Sequence, residues 1–461
     1  MGFMYEFPHA RTFDSDLREI IELFCTVKEL PKTWETYKQI MDDNFTELKV
    51  FVTEYFDNLD VQDEINNKID NLIESGFIEE IIANWLNAHI HGYITPQMFG
   101  AVGDGLSDDT IAFKKALNYL ESNKDYAALH LPAGDYLLSE QLITRDVSII
   151  GDGVQVSRLI FDSNSTSAGL KIYQATVNIR SACVSIRDLS ILYDGVENFS
   201  GIEIEGEYLN ERWQISPLIT RIFIGTNKDT TVNHGWYIGI AINNCDAVRI
   251  TECSINGRIQ DAEPNYSAMY GVYINSSNKP HATSHMVENC MITHFKNAIY
   301  VPVTEGLKII NNDIVGVDIG LNCEGTDYYP YILIEGNHIN ASSICINISK
   351  YKEIIISNND CYIQQSTNDV NFGIVINEDV VRFNISNNII ANLSDKSVYG
   401  MDIEGSHGII IGNLFHNQGI GAINPAINLD STSTYCMVSY NNAHTLKIDN
   451  FGSENSVSNN I

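Results

Sequence analysis

Ile310-Asn311-Asn312-Asp313-Ile314 is one copy of a short phrase that returns along the chain: aliphatic residues, an asparagine, then another apolar residue. A period of two to three dozen residues, built of short strand-like runs without intervening helical segments, indicates stacked supersecondary units. The copies are marked by Asn289, Asn312, Asn337, Asn359, Asn388 and Asn413, at steps of 23, 25, 22, 29 and 25 residues.

Within each repeat, apolar and polar residues alternate, as in Ile202-Glu203-Ile204 after Gly201. Alternation is typical of a strand with one buried face. Coiling the chain so that each turn stacks on the last buries a continuous aliphatic column and pairs every strand edge except at the ends. We therefore predict an all-β fold, a right-handed parallel β-helix of roughly ten turns or a few more. Its repeated asparagines would form a hydrogen-bonded ladder. A β-sandwich or propeller fits less well, because hairpin dipeptides do not recur at fixed spacing.

The composition of the chain argues against several classes of protein. A net charge of −31 argues against nucleic-acid binding, which needs a basic surface. We expect no membrane insertion and no signal peptide, because the chain lacks both a long apolar run and a basic stretch followed by an apolar one. Nine scattered cysteines without a C-x-x-C pair are expected to be small buried hydrophobes rather than metal ligands or disulfides. No cofactor or metal is predicted, and the cysteine pattern suits assembly in a reducing cytoplasm.

Residues 1–92 have a different pattern. Apolar residues recur there at steps of three and four, which predicts a stripe on one face of a helix. Such a stripe can be the core of a local bundle, the seam of a coiled coil, or both. We interpret 1–92 as a helical arm for oligomerisation and 93–461 as the β-helix. The stripe consists of Trp34, Tyr37, Met41, Phe45, Leu48, Val52 and Tyr55.

A stretch at the start of the second region carries a family resemblance. Met98-Phe99-Gly100-Ala101-Val102-Gly103-Asp104-Gly105, followed by the helical pattern of 110–120, resembles the opening of the pectate-lyase-like β-helix superfamily. That superfamily is widespread in phage tailspikes and bacterial polysaccharide-degrading enzymes. The resemblance implies a glycine turn followed by a helix that covers the open end of the solenoid. The apolar residues expected to face inward from this helix are Ile111, Phe113, Ala116, Leu117 and Leu120.

Three carboxylates lie close together in the same stretch: Asp104, Asp108 and Asp109. A metal ion can use such a group, but turn and helix-cap roles explain all three. We therefore interpret them as structural.

The arm carries a second resemblance. Phe7-Pro8-His9-Ala10 and Phe56-Asp57-Asn58-Leu59 resemble the leader of tail or appendage proteins from phages of Gram-positive bacteria. The resemblance implies a homotrimer carried on the virion, assembled in the bacterial host. The arm would dock on phage tail or neck proteins, and the β-helix would bind a host cell-surface polysaccharide.

Candidate functional residues lie where the turns are enlarged. The step from Cys253 to Asn289 is 36 residues, so extra loop projects from that turn. Loops on a rigid scaffold are where binding and catalysis concentrate. The candidate catalytic residues are Asp261, Glu263 and, from the preceding turn, Asp229. The candidate substrate-binding residues are Trp236, Tyr237, Arg258, Tyr266, Tyr270, Tyr328 and Tyr329.

Two kinds of chemistry fit these residues. Hydrolysis of a glycan normally needs a pair of carboxylates, one protonated and one ionised. A lyase instead needs a base and a group that neutralises a uronate, for which His234 and Arg258 are available. Motifs of pectinases, such as Asn-Thr-Asp and Gly-His-Gly, are absent, so pectin is not the expected substrate. The leading hypothesis is a polysaccharide depolymerase, more consistent with a hydrolase than a lyase. The alternative is a receptor-binding or structural spike without chemistry.

Overall fold

The computed structural model describes the chain from residue 93 to 461 with short gaps. The gaps are 124–127, 176–183, 208–216, 229–233, 261–263, 278–283, 326–329, 367 and 444–446. The predicted arm, residues 1–92, lies outside the described residues, and so does the expectation that it oligomerises.

The described chain coils so that up to three short strands per turn stack, all in parallel, on their counterparts in the next turn. Sheet 1 consists of Tyr93–Ile94, Ala128–Leu131, Ser148–Gly151, the first parts of Ser185–Tyr193 and Leu218–Gly225, Arg249–Thr251, His285–Glu288, Gly306–Ile310, Tyr331–Glu335, Glu353–Ser357, Val381–Ser386, Ser406–Ile411, Met437–Ser439 and Ser456–Ser458.

Sheet 2 follows sheet 1 within each turn. It consists of Asp104–Asp108, Gly134–Leu138, Ser157–Phe161, the second parts of Ser185–Tyr193 and Leu218–Gly225, Ser254–Asn256, Met291–Thr293, the first parts of Asp313–Glu324 and His338–Ser349, Asp360–Ile363, Ile389–Asn392 and Leu414–Asn417.

Sheet 3 completes the turn. It consists of Leu142–Arg145, Leu170–Ala175, Ser200–Glu207, Ile238–Asn243, Tyr270–Asn275, Asn297–Val303, the second parts of Asp313–Glu324 and His338–Ser349, Val370–Ile376, Ser397–Ile403, Ile427–Leu429 and Ile448–Asn450.

The core is the aliphatic column inside the coil. Ile202 and Ile204 face inward in sheet 3, and their register partners in the next turn, Ile240 and Ile242, are likewise fully buried. Glu203, between them, faces outward. The period-two alternation thus places one apolar residue over another from turn to turn, as expected for stacked half-buried strands. The predicted right-handed parallel β-helix is confirmed.

The corner between sheets 1 and 2 explains the repeated asparagines. At this corner one residue has left-handed backbone angles and turns the chain from sheet 1 into sheet 2. Examples are Asn311, with φ 54°, and Asn358, with φ 57°. The next residue points inward, and when it is asparagine its Oδ1 accepts bonds from the backbone N–H and side-chain Nδ2 of its counterpart in the preceding turn, each at 2.9–3.0 Å. This asparagine ladder consists of Asn312, Asn337, Asn359, Asn388, Asn413, Asn441 and Asn460.

The predicted ladder is correct from Asn312 to Asn413 and wrong at its first member. Asn289 is the left-handed corner residue, with φ 53°, and Cys290 occupies the inward position. Cys290 still joins the stack, because its backbone N–H donates to Asn312 Oδ1 at 3.0 Å. The phrase in the sequence carries two asparagines in some copies and one in others, so the pattern alone does not distinguish the corner residue from the ladder residue.

A helix, α1 (Thr110–Ser122), follows a 3₁₀ turn at Pro96–Phe99 and the first strand of sheet 2. Its inward residues include Phe113, Ala116 and Leu117, which are fully buried at the end of the solenoid core. The expectation that Ile111 also faces inward is wrong, since 68% of its surface is exposed. Position 111 falls on the opposite face of the helix from 113 and 117.

The three neighbouring aspartates have turn and cap roles. Asp104 Oδ1 accepts from the backbone N–H groups of Leu106 and Ser107. Asp108 Oδ1 accepts from the N–H of Thr110 at the start of the helix. Asp109 is buried, and its two oxygens accept from the N–H groups at 102 and 103, so its carboxylate fixes the glycine turn rather than capping the helix.

The cysteines of the described chain behave as small apolar residues. Seven are free thiols, and all seven are buried. Cys253 and Cys290 occupy inward corner positions where later turns have ladder asparagines. Among the described residues, no helix is long and apolar enough to cross a membrane.

Candidate functional site

The corners between sheets 2 and 3 are enlarged in three successive turns. The chain takes 194–199, 226–237 and 257–269 to pass from sheet 2 to sheet 3, whereas the next turn takes only 294–296. The large step noticed in the sequence therefore falls at this corner. The loop 257–269 contains a hairpin closed by an antiparallel bridge between Ile259 and Tyr266.

Arg258 holds the three loops together. Its guanidinium donates to the carbonyls of Val196 and Glu197 in the first loop, to Gly235 in the second, and to Asn198 Oδ1 at 2.7 Å. Only 5% of Arg258 is exposed, and burial lowers the pKa of its guanidinium from the ordinary value. Both Nη atoms donate to protein acceptors and the side chain is almost completely buried, so in this arrangement Arg258 positions the loops and does not face a substrate.

Trp236 is an interior anchor of the second loop. Its side chain is fully buried, its Nε1–H donates to the carbonyl of Ile191 at 3.1 Å, and its ring packs on Tyr193 and Phe161 at centroid distances of 5.0 and 5.6 Å. A sugar cannot reach this ring. Its contribution to binding is indirect, through the loop that it fixes to the core.

Three other candidates line the loops at different depths. Tyr237 is half-buried, directly before sheet 3, with the Arg258 guanidinium 5.6 Å from its ring centre. His234 is half-buried and its Nδ1 lies 2.9 Å from the carbonyl oxygen of Asp194. Tyr266 is 5% exposed, closes the hairpin with Ile259, and lies near Val315 and Asn340 of sheet 2.

Three tyrosines form a cluster on the outer face of sheet 3, beside the enlarged corner. The ring of Tyr270 lies 5.2 Å from that of Tyr273 and 5.0 Å from that of Tyr300, both in nearly stacked geometry. All three rings are half-buried. With Tyr237 they make the surface that we call the tyrosine patch. Flat rings with a polar edge are suited to the apolar faces and hydroxyls of sugars.

The electrostatic surroundings of the patch are acidic. Burial raises the pKa of Tyr300, and the negative charge of Glu324 raises it further. Burial and the neighbouring Tyr273 and Tyr237 raise the pKa of Tyr270. Tyr270 and Tyr300 are therefore neutral phenols that can donate and accept hydrogen bonds at physiological pH.

The sheet-3 face continues on both sides of the patch as a polar surface. Toward the N-terminal turns, Lys171 pairs with Glu203 at 2.6 Å, and Asn244 donates to Glu205 at 3.0 Å. Toward the C-terminal turns, the side chains of Asn322 and Asn347 are hydrogen-bonded at 2.9 Å. The face therefore carries aromatic rings at its centre and amides and carboxylates on either side. Such a surface can contact several units of an extended polar ligand.

The candidate catalytic residues are not among those that the structure describes. Asp229, Asp261 and Glu263 belong to the segments 229–233 and 261–263, and Tyr328 and Tyr329 belong to 326–329. Along the chain, the first two segments fall between a strand of sheet 2 and the following strand of sheet 3, and the third falls between Glu324 of sheet 3 and Tyr331 of sheet 1. Within the described ranges, no group of three or more His, Cys, Asp or Glu side chains is placed to hold a metal ion.

The same sheet-3 face carries carboxylates with perturbed pKa values in later turns. Burial raises the pKa of Asp402, as does the charge of Asp430, although Asn428 Nδ2 donates to Asp402 Oδ1 at 2.7 Å. Burial raises the pKa of Glu404, with added repulsion from Asp402, Asp430 and Glu378.

Replacing Asp402 by asparagine should stabilise the protein at neutral pH. A carboxyl whose folded pKa is raised binds more protons in the folded than in the unfolded state, so stability falls as pH rises from the ordinary value of 3.8 through the folded pKa. Asp402→Asn removes this loss. We expect the difference in Tm between variant and wild type to grow between pH 4 and pH 7. A difference that is independent of pH would contradict the assignment.

Known proteins share the sequence pattern and the architecture of this chain. The profile of the family described as "Rhamnogalacturonase A/epimerase, pectate lyase-like" matches residues 97–359, more than half of the chain. A capsule K30/K69-specific depolymerase of Klebsiella phage K64-1 is 28% identical over 106 residues, which are 23% of this chain and only 13% of that protein.

Solved structures agree on the fold. The A-module of the Azotobacter vinelandii mannuronan C-5 epimerase AlgE6 superposes with a TM-score of 0.61 at 14% identity, covering 80% of this chain and 98% of the module. The AlgE4 A-module gives 0.59 at 17% identity, covering 79% of this chain and 100% of the module. At these identities the likeness concerns the fold alone. The family profile, which matches more than half of the chain, shows that the chain belongs to the rhamnogalacturonase A/epimerase, pectate lyase-like family.

Proposed function

We propose that this protein is a phage tail appendage that binds a polysaccharide of the host cell surface along the outer face of sheet 3. The tyrosine patch is the observation that carries the proposal, because it combines three packed rings with a polar face on a rigid scaffold. The phage capsule depolymerase, which matches a quarter of the chain at 28% identity, supports a virion setting and a polysaccharide ligand.

The proposal extends to cleavage of the bound polysaccharide by hydrolysis. Asp261 and Glu263 would act as the acid and base or nucleophile, with Asp229 as a further carboxylate from the preceding loop. Their segments belong to the corner that borders the tyrosine patch. The alternative is an adhesin or spike that binds the same glycan without cleaving it, with Arg258 and Trp236 maintaining the loops as a binding surface.

The assembly we propose follows the tail-appendage resemblance. Residues 1–92 would attach the protein to tail or neck proteins of the phage, and three copies would form a homotrimer in the host cytoplasm before joining the virion. Tyr328 and Tyr329, at the opposite margin of sheet 3, would contact the glycan from the second side.

Binding is tested with polysaccharides purified from the capsule and cell wall of candidate Gram-positive hosts. Tyr270→Ala and Tyr300→Ala should each weaken affinity for the bound polysaccharide about tenfold, the loss of roughly one ring contact. Tyr331→Ala is the matched control, because Tyr331 is a half-buried tyrosine on the outer face of sheet 1. If all three variants bind the polysaccharide as tightly as the wild type, the tyrosine patch is not part of the binding site.

Cleavage is followed in the same mixtures by fragment size, reducing ends and ultraviolet absorbance. New reducing ends without a new double bond, abolished by Asp261→Asn and Glu263→Gln, are the expected result. A new double bond would identify a lyase. Unchanged polymer length with retained binding would identify the adhesin, and the catalytic roles of these carboxylates would then be rejected.

A further inference from the structure

A second concave surface lies on the other side of the enlarged corner, facing sheet 2. It is an open cleft of about 160 Å³ that Tyr266 of loop 257–269 lines. The cleft is separate from the tyrosine patch, which lies on the face of sheet 3. Its main lining residues are Tyr266, Val315, Val317, Asn340, Ala341 and Gln364.

A pair of amides forms the polar part of the cleft. Asn340 follows His338 by two residues on the outer face of sheet 2, and Gln364 directly follows the corresponding strand of the next turn. Asn340 Nδ2 donates to Gln364 Oε1 at 2.5 Å. This bond leaves the Asn340 Oδ1 as an acceptor and the Gln364 NH₂ as a donor, the two groups needed to bind an amide.

The rest of the cleft is mixed in polarity. Val317 and Ala341 are register partners in adjacent turns, and both are almost completely buried, so they form the base of the cleft and not its accessible wall. Val315, two residues before Val317, is half-buried and lines the cleft, as does Tyr266. A methyl group entering beside Val315 would therefore contact the exposed part of its side chain, with the amide pair next to it.

The sheet-2 face outside the cleft adds acidic and aromatic groups. His338 Nδ1 lies 2.7 Å from Asp313 Oδ1, and His338 is in register with Asp360 in the next turn. The Tyr362 ring packs edge-on against the His338 ring at 5.5 Å, and Tyr362 is the register partner of Asn340. Two carboxylates on this face would repel a glycan that carries carboxylates of its own.

We propose that this cleft binds an N-acetylated sugar unit of a neutral glycan. The acetamido methyl would contact Val315, the acetamido N–H and C=O would bind Asn340 Oδ1 and the Gln364 NH₂, and a neighbouring sugar would lie on the Tyr362 ring. The site lies on the sheet-2 side of the corner and uses none of the residues assigned to binding or cleavage on sheet 3, so either site can exist without the other.

Three tetrasaccharides test whether the acetamido group and the absence of charge determine binding. Chitotetraose carries acetamido groups, cellotetraose has the same linkage without them, and tetragalacturonate is anionic. By titration calorimetry with the full chain, we expect chitotetraose to bind at least tenfold more tightly than the other two. Equal affinity for chitotetraose and cellotetraose, or no binding of chitotetraose, would overturn the proposal.

Variants locate the site. Asn340→Ala combined with Gln364→Ala should weaken chitotetraose binding at least tenfold. Asn417→Ala is the matched control, because Asn417 is an exposed asparagine on the same sheet outside the cleft. Val315→Phe should also block binding, since it fills the cleft while leaving every hydrogen bond in place. Tyr331→Ala, which removes a half-buried tyrosine of sheet 1, should leave chitotetraose affinity unchanged. Loss of chitotetraose binding in Tyr270→Ala would place the sugar at the tyrosine patch and overturn the assignment to the cleft.

Methyl NMR gives a readout that does not depend on affinity. With selectively labelled valine, chitotetraose should shift the methyl signals of Val315 and leave those of Val370, exposed on another sheet, unchanged. Binding that leaves the Val315 signals unchanged would place the sugar elsewhere and reject the site.

Discussion

Replacing Asn359 by alanine is expected to lower the free energy of unfolding by about 3–5 kcal/mol. Asn359 is fully buried in the middle of the asparagine ladder. Its Oδ1 accepts from the N–H and Nδ2 of Asn337, and its Nδ2 donates to Asn388 Oδ1 and to the carbonyls of Ile334 and Ser357. Alanine would leave these groups buried without partners, at a cost of about 1–3 kcal/mol for each group that no water reaches.

The change is measured as the shift in Tm and in the midpoint of urea unfolding. Asn347→Ala is the matched control, because Asn347 also takes part in a row of stacked amides, with Asn322 and Asn377, but on the solvated outer face of sheet 3. We expect the control to cost about 1 kcal/mol or less. Equal shifts for the two variants would mean that the internal ladder contributes no more than a surface row.

Replacing Trp236 by alanine is expected to destabilise the protein by about 3–5 kcal/mol. The side chain is fully buried between Tyr193 and Phe161, and its removal leaves a cavity under the enlarged corner together with an unpaired carbonyl at Ile191. Affinity for the polysaccharide should fall as a consequence, because the second loop loses its attachment to the core. Trp236→Phe should recover most of the stability and most of the binding.

Unfolding and binding of these variants are measured on the same preparations. Tyr237→Ala is the neighbouring control for stability alone, since its ring is half-buried and its loss should cost about 1 kcal/mol or less. Its affinity for glycan is not a control, because Tyr237 belongs to the tyrosine patch. A Trp236→Ala variant that unfolds like the wild type but no longer binds glycan would contradict the anchor role and favour direct contact.

The fold could be predicted because the pattern that makes the turns stack recurs along the sequence. Each turn must place an apolar residue inward at every second position, so the alternation around Glu203 and its counterparts is visible without a structure. The asparagine ladder was predictable for the same reason from Asn312 onward. Its first member was misassigned because Asn289 and Asn312 have similar neighbours, and only the left-handed φ of Asn289 separates a corner residue from an inward one.

The candidate site was predictable in position but not in detail. The long step before Asn289 correctly marks an enlarged corner, since extra residues in a solenoid turn must go into a loop. Burial of Trp236 and Arg258 depends on how three consecutive loops pack, which no single segment specifies. Tyr273 and Tyr300 were overlooked because they are ordinary strand residues, and only their register brings them together. Aligning the turns would have revealed both tyrosines, because they occupy outward positions in the neighbouring strands Tyr270–Asn275 and Asn297–Val303.

The asparagine ladder also bears on how such a chain can change in evolution. Every ladder asparagine from Asn312 to Asn441 presents an acceptor to the turn before it and a donor to the turn after it, so each one is chemically equivalent to its neighbours. Deleting or duplicating the segment from one ladder asparagine to the residue before the next would reunite identical partners. The steps of 22 residues from Asn337 to Asn359 and 29 from Asn359 to Asn388 already differ, with the surplus placed in loops. Length and loop content can therefore vary by insertion and deletion of whole turns while the ladder remains continuous.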